Sequence, residues 1–143
     1  VPVHPGTATK MVHAYNPETD TWTRKANLPI GRRNIAAAVV GDKIYVFGGH
    51  LGYVEEYDPA ADKWTQKSDS PFPQLTNSPG VAVINGKILV CGGSLTYEYD
   101  PVSDTWTQKA NMPTERSGLQ LVSFNGKVYA MGGITLNDYG RNV

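Results

Sequence analysis

This sequence of 143 residues has one cysteine, no formal net charge and no long hydrophobic segment. A single cysteine excludes an intrachain disulfide, and the apolar segment Ile88-Leu-Val-Cys91 predicts a buried thiol at Cys91 instead of a reactive one. The 13 basic residues balance the 13 acidic ones, so the composition favours neither a nucleic-acid partner nor a membrane surface. No apolar run approaches the roughly 18 residues that a membrane span needs.

Helical periodicity is missing as well. No ten-residue stretch combines a helical pattern of apolar residues with freedom from glycine and proline, because 15 glycines and 10 prolines interrupt the chain. The sequence therefore predicts an all-β protein.

One eight-residue phrase occurs three times, and the tryptophans that end it are 42 residues apart both times. A fixed period of this size is typical of a repeat architecture, in which each unit buries its core against its neighbours. The residue before proline is Asn or Asp, so each copy predicts a strand, a turn and a second strand. The copies are Tyr15-Asn-Pro-Glu-Thr-Asp-Thr-Trp22, Tyr57-Asp-Pro-Ala-Ala-Asp-Lys-Trp64 and Tyr99-Asp-Pro-Val-Ser-Asp-Thr-Trp106.

A second repeated signal is an apolar run that ends in two glycines and follows a tight turn. The turns Gly41-Asp42, Asn85-Gly86 and Asn125-Gly126 are suited to the positive φ of two-residue hairpins. The runs end at the pairs Gly48 and Gly49, Gly92 and Gly93, and Gly132 and Gly133.

These two signals together resemble the kelch family, whose repeat carries a double glycine after an apolar strand, then Tyr-Asp-Pro, four residues and Trp. The resemblance covers nearly the whole chain and implies a β-propeller in which each repeat forms one four-stranded antiparallel blade. WD40 repeats have a similar period, but no Trp here is followed by Asp and no Gly-His begins a repeat. The repeated Tyr, Trp and glycine residues are therefore expected to be structural.

Each predicted unit has four strands, which we call A to D in blade order. The chain begins with C at 11–15 and D at 22–25, and then A at 35–40 and B with its glycine pair. The second unit gives C 53–57, D 64–67, A 81–84 and B 88–91, and the third gives C 95–99, D 106–109, A 119–124 and B 128–131. The units are expected at 11–49, 53–93 and 95–133, with terminal arms at 1–10 and 134–143.

The order C-D, A-B-C-D, A-B-C-D, A-B amounts to three blades, one of which is divided between the two ends. Propellers have about 4–8 blades, so a closed ring of three is too tight. We expect two copies to form a six-bladed homodimer, in which strand B at the end of one chain pairs with strand C at the start of the other. The alternative is that the chain, which begins at Val1, is a piece of a longer single-chain propeller.

Function is expected on one face of the propeller. The turns A-B and C-D emerge on one side, here called the turn face, and the more variable loops B-C and D-A emerge on the other, here called the loop face. Repeat proteins bind where their loops vary, and the kelch resemblance implies that a protein or peptide binds there. The candidate binding residues are Arg32, Arg33, Asn34, His50, Tyr53, Gln74, Asn77, Tyr97, Glu115, Arg116 and Ser117.

The arginines in this set have different expected roles. The family pattern places an arginine ten residues after the Trp, which Arg32 and Arg116 match and Gln74 does not. Arg32 and Arg116 either brace neighbouring loops or contact a ligand. Arg33 and Asn34 lie beyond the matched position and are the better candidates for contact, since a guanidinium holds a carboxylate in bidentate fashion.

A sugar-binding or sugar-modifying propeller is the alternative, because some kelch-like propellers resemble galactose oxidase or sialic acid mutarotase. A copper site needs a His and Tyr ligand set, but His4, His13 and His50 occupy unrelated repeat positions. A mutarotase needs a carboxylate near the axis, for which Glu115 beside Arg116 is the candidate pair. We expect a non-enzymatic binding scaffold with no metal and no cofactor, with a carbohydrate as the alternative ligand.

Overall fold

The repeated phrase forms the same β-hairpin three times in the computed structural model, which describes residues 6–49, 52–72 and 78–135. The described residues form twelve strands. They are β1 (Val12–Asn16), β2 (Thr21–Lys25), β3 (Ile35–Val40), β4 (Lys43–Gly48), β5 (Glu55–Asp58), β6 (Lys63–Gln66), β7 (Gly80–Ile84), β8 (Lys87–Gly92), β9 (Leu95–Asp100), β10 (Thr105–Gln108), β11 (Gln120–Phe124) and β12 (Lys127–Met131).

The strands form two complete sheets and two half sheets, all antiparallel. Strands β3 to β6 form one four-stranded sheet and β7 to β10 form another, each in sequence order, while β1 pairs with β2 and β11 pairs with β12. We call these the second blade, the third blade, the first half-blade and the last hairpin. The all-β prediction and the strand order C-D, A-B-C-D, A-B-C-D, A-B are confirmed. No helix within the described ranges is long and apolar enough to cross a bilayer.

The Asx-Pro turns have the geometry that their sequence predicts. The side chains of Asn16, Asp58 and Asp100 each accept a hydrogen bond from the backbone N–H two residues ahead, at 2.9 Å in all three copies. Each turn then ends at an aspartate with positive φ, between 50° and 55°. These aspartates are Asp20, Asp62 and Asp104, and the return to extended backbone after them begins the D strand.

The glycine pairs lie where strand B leaves the sheet. Gly48 and Gly49 have φ of 90° and 87°, which disfavours any residue with a Cβ. Space is equally restrictive, since a Cβ on Gly48 would lie 2.8 Å from Cδ of Pro79 in the neighbouring blade. The first glycine of a pair therefore permits close approach of two blades at this position.

The main core lies between the second and third blades. Phe47 and Tyr45 of β4 pack against Ile88, Val90 and Tyr99 of the third blade, and all five side chains are buried. Such contacts between sheets supply most of the apolar burial on which a propeller depends.

A second core lies between the third blade and the last hairpin. Cys91 packs there with Ala82, Leu119 and Leu121, and its Sγ lies 3.5 Å from Oγ1 of Thr96. The predicted burial of Cys91 is confirmed, and burial raises the pKa of its thiol.

Candidate binding face and blade latches

The second copy of the repeated phrase fastens its blade to the one before it. The Asp62 carboxylate accepts hydrogen bonds from the Tyr57 hydroxyl at 2.5 Å and from the backbone N–H of Ala26 at 2.8 Å. The Trp64 indole N–H donates to the carbonyl of the same Ala26 at 3.0 Å. We call this Tyr, Asp and Trp set, together with the backbone group it holds, a latch.

The third copy makes the same latch one blade further along. Asp104 accepts from the Tyr99 hydroxyl at 2.7 Å and from the backbone N–H of Ser68 at 2.9 Å. Trp106 donates its indole N–H to the carbonyl of Ser68 at 3.3 Å. In these two copies the tryptophan and the aspartate hold the blade to the one before it, and the tyrosine bonds that aspartate.

The first copy forms only the bond between the tyrosine and the aspartate of a latch and, within the described residues, makes none of the contacts to another blade. Tyr15 donates to Asp20 at 2.8 Å, but Trp22 is 68% exposed. No described residue binds Asp20 or Trp22 in the way that Ala26 and Ser68 bind the later copies. The first half-blade therefore presents an unused latch.

Ionisation in the two complete latches follows from these hydrogen bonds. The Ala26 N–H and the Tyr57 hydroxyl lower the pKa of Asp62. Burial opposes ionisation of Asp104, but hydrogen bonds from Tyr99 and Ser68 outweigh it and its pKa is lowered. Burial, helped by Asp62, raises the pKa of Tyr57 to about 12. The aspartates are therefore charged acceptors and the tyrosines protonated donors at neutral pH.

Arg32 is buried beneath the loop face and is used within the protein. Its Nη1 donates to the carbonyls of Gly48 at 3.2 Å and Tyr53 at 2.9 Å, and its Nη2 lies 3.1 Å from Oε2 of Glu55. Burial raises the pKa of Glu55, although the nearby Arg32 guanidinium acts in the opposite direction. These contacts fit the bracing role that the sequence left open for Arg32.

Arg116 occupies the equivalent place before the last hairpin. Its Nη1 donates to the carbonyl of Gly132 at 3.0 Å, and its backbone N–H donates to Gly93 at 3.2 Å. No carboxylate forms an ion pair with it among the described residues, and its Nε is buried without a partner there. The exposed Glu115 lies near Gly93 and makes no ion pair with Arg116 in the described part of the chain.

Arg33 and Asn34 are both exposed at the inner end of the loop face. The Asn34 carbonyl accepts from the N–H of Ser78 at 3.0 Å, and the Ser78 carbonyl accepts from the N–H of Gly118 at 3.2 Å. Asn34, Ser78 and Gly118 all have positive φ and lie one or two residues before strands β3, β7 and β11, so this rim joins successive blades where their A strands begin. The Arg33 guanidinium has no hydrogen-bond or ion-pair partner among the described residues.

Three of the remaining candidate residues, Tyr53, Tyr97 and Ser117, make contacts within the protein. The ring of Tyr53 lies under Arg32, with the guanidinium carbon 5.9 Å from the ring centre. Tyr97 packs inward against Phe72 and Trp106, with ring centres 4.8 and 6.4 Å apart, and the backbone of Ser117 pairs with Ile134. His50, Gln74 and Asn77 lie outside the described residues.

Sequence reasoning missed Glu55, the partner of Arg32, and the rim residues Ser78 and Gly118. No group of three or more His, Cys, Asp or Glu side chains within 6–49, 52–72 and 78–135 is placed to hold a metal ion.

Comparison with known proteins identifies the repeat. The family model described as the kelch motif matches residues 31–71 and 76–113. The chain belongs to the kelch family. Together with the blade topology, this match shows a kelch-type β-propeller fold.

Two individual proteins are similar to parts of this kelch chain. Human Kelch-like protein 5 is 42% identical over 41 residues, which are 29% of this chain and 5% of that protein. The solved structure of YjhT superposes with a TM-score of 0.74 at 17% identity, over 90% of this chain and 58% of that one. The chain therefore spans a small part of the human relative and somewhat more than half of YjhT, and at this identity the YjhT likeness concerns the fold alone.

Proposed function

We propose that this kelch chain is a non-enzymatic binding scaffold that holds an acidic or polar segment of another protein on its loop face. Kelch propellers are commonly protein-interaction scaffolds, and the proposal applies that general role to this chain. The observation that carries it is the exposed guanidinium of Arg33, which has no partner among the described residues and lies beside Asn34 at the rim. A guanidinium can pair with the carboxylate of a ligand through charge-assisted hydrogen bonds.

The two other arginines among the candidate binding residues have partners within the protein, which favours Arg33 as the main contact. Arg32 is buried, pairs with Glu55 and donates to two backbone carbonyls, so in this proposal it positions the loop instead of contacting the ligand. Arg116 holds Gly132 through one nitrogen and is less enclosed than Arg32, which makes it a secondary contact in this proposal. We assign the repeated units at 11–49, 53–93 and 95–133 to the scaffold, and we propose that two half-rings form the complete loop face.

Binding of a fluorescent decapeptide rich in Glu and Asp tests this proposal. Arg33→Ala is expected to weaken binding by about 1.5–3 kcal/mol, or roughly 10- to 150-fold, because a charge-assisted hydrogen bond is lost. Raising the salt concentration is expected to weaken binding further, since exposed charges are screened. Asp42→Ala on the turn face is the matched control and should leave the affinity unchanged. Loss of binding from Asp42→Ala alone would contradict the proposal.

A sugar-modifying activity is the second candidate, and the carboxylate of Glu115 is the observation that favours it. Glu115 is exposed on the loop face and makes no ion pair with the adjacent Arg116 in the described part of the chain. A free carboxylate of this kind can act as a general acid or base in opening a sugar ring. Exchange between the α and β anomers of sialic acid, followed by NMR, is expected to be accelerated and to lose that acceleration in Glu115→Gln if this candidate is right.

A further inference from the structure

Two incomplete surfaces of this chain complement each other, and both belong to the divided blade. Strand β1 has no partner on its free edge among the described strands, and neither does β12 on its own. The two strands do not contact each other within the chain. We infer that the last hairpin of a second copy docks beside β1, fills the cleft next to the first half-blade and completes a four-stranded blade. This inference rests on the assembly from two half-rings proposed above.

The cleft lies between the first half-blade and the second blade and has a volume of about 470 Å³. Its walls are mostly apolar and include Met11, Val12, Ile35, Ile44, Val46 and Trp64. At the boundary between the second and third blades, strands A and B of the second blade pack against strands A and B of the third. The cleft is thus the position that the A and B strands of the divided blade would take.

The last hairpin has an exposed apolar face of the matching kind. Its members are 46–63% exposed and are Val122, Phe124, Tyr129 and Met131. By their place relative to the A-B turn they correspond to Ala38, Val40, Tyr45 and Phe47, which pack against the third blade. A contiguous exposed apolar face of this kind marks an interaction surface. Because the equivalent face of the second blade is covered by the blade that follows it, we expect another blade to cover this one.

The sheet register gives the pairing of the two edges. In the second and third blades, the first apolar residue of strand B lies opposite the Tyr of the phrase: Ile44 opposite Tyr57, and Ile88 opposite Tyr99. The same register places Val128 opposite Tyr15 of the second copy and Ala130 opposite His13 of the second copy.

The unused latch supplies an independent match. Ala26 and Ser68 each lie four residues after the Trp of their own blade and are held by the latch of the next blade. Ala110 lies four residues after Trp106, and no described latch holds its backbone. In the docked pair, Asp20 and Trp22 of the second copy bind the N–H and carbonyl of Ala110.

The rim provides a third match. Its hydrogen bonds run from Ser78 to Asn34 and from Gly118 to Ser78, and the described series stops at the carbonyl of Gly118. In the docked pair, the next hydrogen bond of the series runs from the N–H of Asn34 of the second copy to the carbonyl of Gly118. The strand edge, the cleft, the latch and the rim therefore each lack one partner in the single chain. A single twofold axis between two copies supplies all four partners to both of them.

Disulfide trapping tests the register. Chains carrying His13→Cys are mixed with chains carrying Ala130→Cys, because residues directly opposite in an antiparallel pair have Cα atoms within the range that a disulfide spans. Under mild oxidation we expect a covalent product of twice the 15.5 kDa chain mass from the mixture and none from either variant alone. Tyr129→Cys is the matched control, since its side chain lies on the other face of β12 and should not react with His13→Cys. Equal trapping of both, or trapping of neither, would overturn the inference.

Light scattering of surface variants tests the docked face without any new bond. Phe124→Asp is expected to halve the solution mass, because a charge cannot be buried in the apolar cleft, while Val102→Asp at a turn tip that is 94% exposed should not change it. An unchanged mass in Phe124→Asp would also overturn the inference. Neither experiment uses a ligand, so a chain that dimerises as described and binds no acidic peptide contradicts the proposed function alone.

Discussion

The indole N–H of Trp64 donates to the carbonyl of Ala26 at 3.0 Å, across the boundary between two blades and 38 residues along the chain. Asp62 accepts a hydrogen bond from the N–H of that same residue, so the next blade holds both backbone polar groups of Ala26. Repetition of this arrangement at Ser68 makes the blade boundary a regular part of the architecture. The repeated phrase is therefore both a hairpin and a connector between blades.

Truncation of Trp106 tests the structural role of the repeated tryptophan. Its ring packs against Phe47 and Tyr99, with ring centres 6.0 and 4.9 Å apart. Trp106→Ala is expected to lower the free energy of unfolding by about 3–5 kcal/mol in urea denaturation. Val102→Ala at the exposed turn tip should change it by no more than about 0.5 kcal/mol. A loss below about 1 kcal/mol in Trp106→Ala would show that the blade contact is not formed.

Removal of the latch carboxylate should cost stability because its donors lose their acceptor. Asp104→Ala leaves the Tyr99 hydroxyl and the Ser68 N–H unsatisfied, and each such loss costs about 1–3 kcal/mol where the donor is buried. Asp69→Ala is the matched control, since Asp69 is exposed and has only a 3.5 Å contact with Gln66. Thermal denaturation that ranks the two variants equally would argue against the latch.

Acid should loosen the blades through the same aspartates. The pKa of Asp62 is lowered chiefly by the Ala26 N–H, and that of Asp104 by Tyr99 and Ser68 against the effect of burial. Because each folded-state pKa lies below the unfolded value, the stabilisation is fully present above about pH 3.9 and is lost as the pH falls through that value towards the folded-state pKa. Burial raises the pKa of Glu55, so its own contribution changes with pH in the opposite sense.

Asp104→Asn separates the latch from other acid effects. The amide keeps an acceptor oxygen but does not titrate, so the variant should be less stable at pH 7 and lose less stability between pH 5 and pH 2.5. Urea denaturation across that range measures the difference. A variant with the same pH dependence as the original chain would show that the Asp104 carboxylate does not contribute to acid sensitivity.

The glycine at the end of strand B should be more sensitive to substitution than the glycine in the A-B turn. Gly86 has φ of 72° with open space around it, so Gly86→Ala is expected to cost about 1–2 kcal/mol from backbone strain alone. Gly48 has φ of 90° and also lies against Pro79 of the next blade, so Gly48→Ala should cost clearly more. Equal losses in urea denaturation would indicate that the blades do not approach closely at Pro79.

Local chemistry explains why so much of the fold is predictable from this sequence. The Asx-Pro turns and the Asn-Gly turns are formed by residues within a few positions of each other, and strands flank them on both sides. Asn85 and Asn125 indeed have positive φ, as the hairpin interpretation requires. Element order therefore follows from signals that do not depend on distant contacts.

The contacts between blades are less visible in the sequence. Ala26 and Ser68 hold their latches through backbone groups, so any residue type serves there and no motif marks the position. Glu55 is buried against Arg32, but nothing near either residue in the sequence indicates that pair. Tyr97 is a loop-face candidate because of its position in the repeat, and its ring packs with Phe72, a contact set by tertiary structure.

The mass of the unmodified chain in solution tests most directly whether two half-rings form the propeller. Sedimentation equilibrium over a dilution series is expected to give twice the 15.5 kDa chain mass, with conversion to single chains only at the lowest concentrations. A stable species of one chain mass throughout the series, or an open-ended increase of mass with concentration, would contradict the closed ring of two copies.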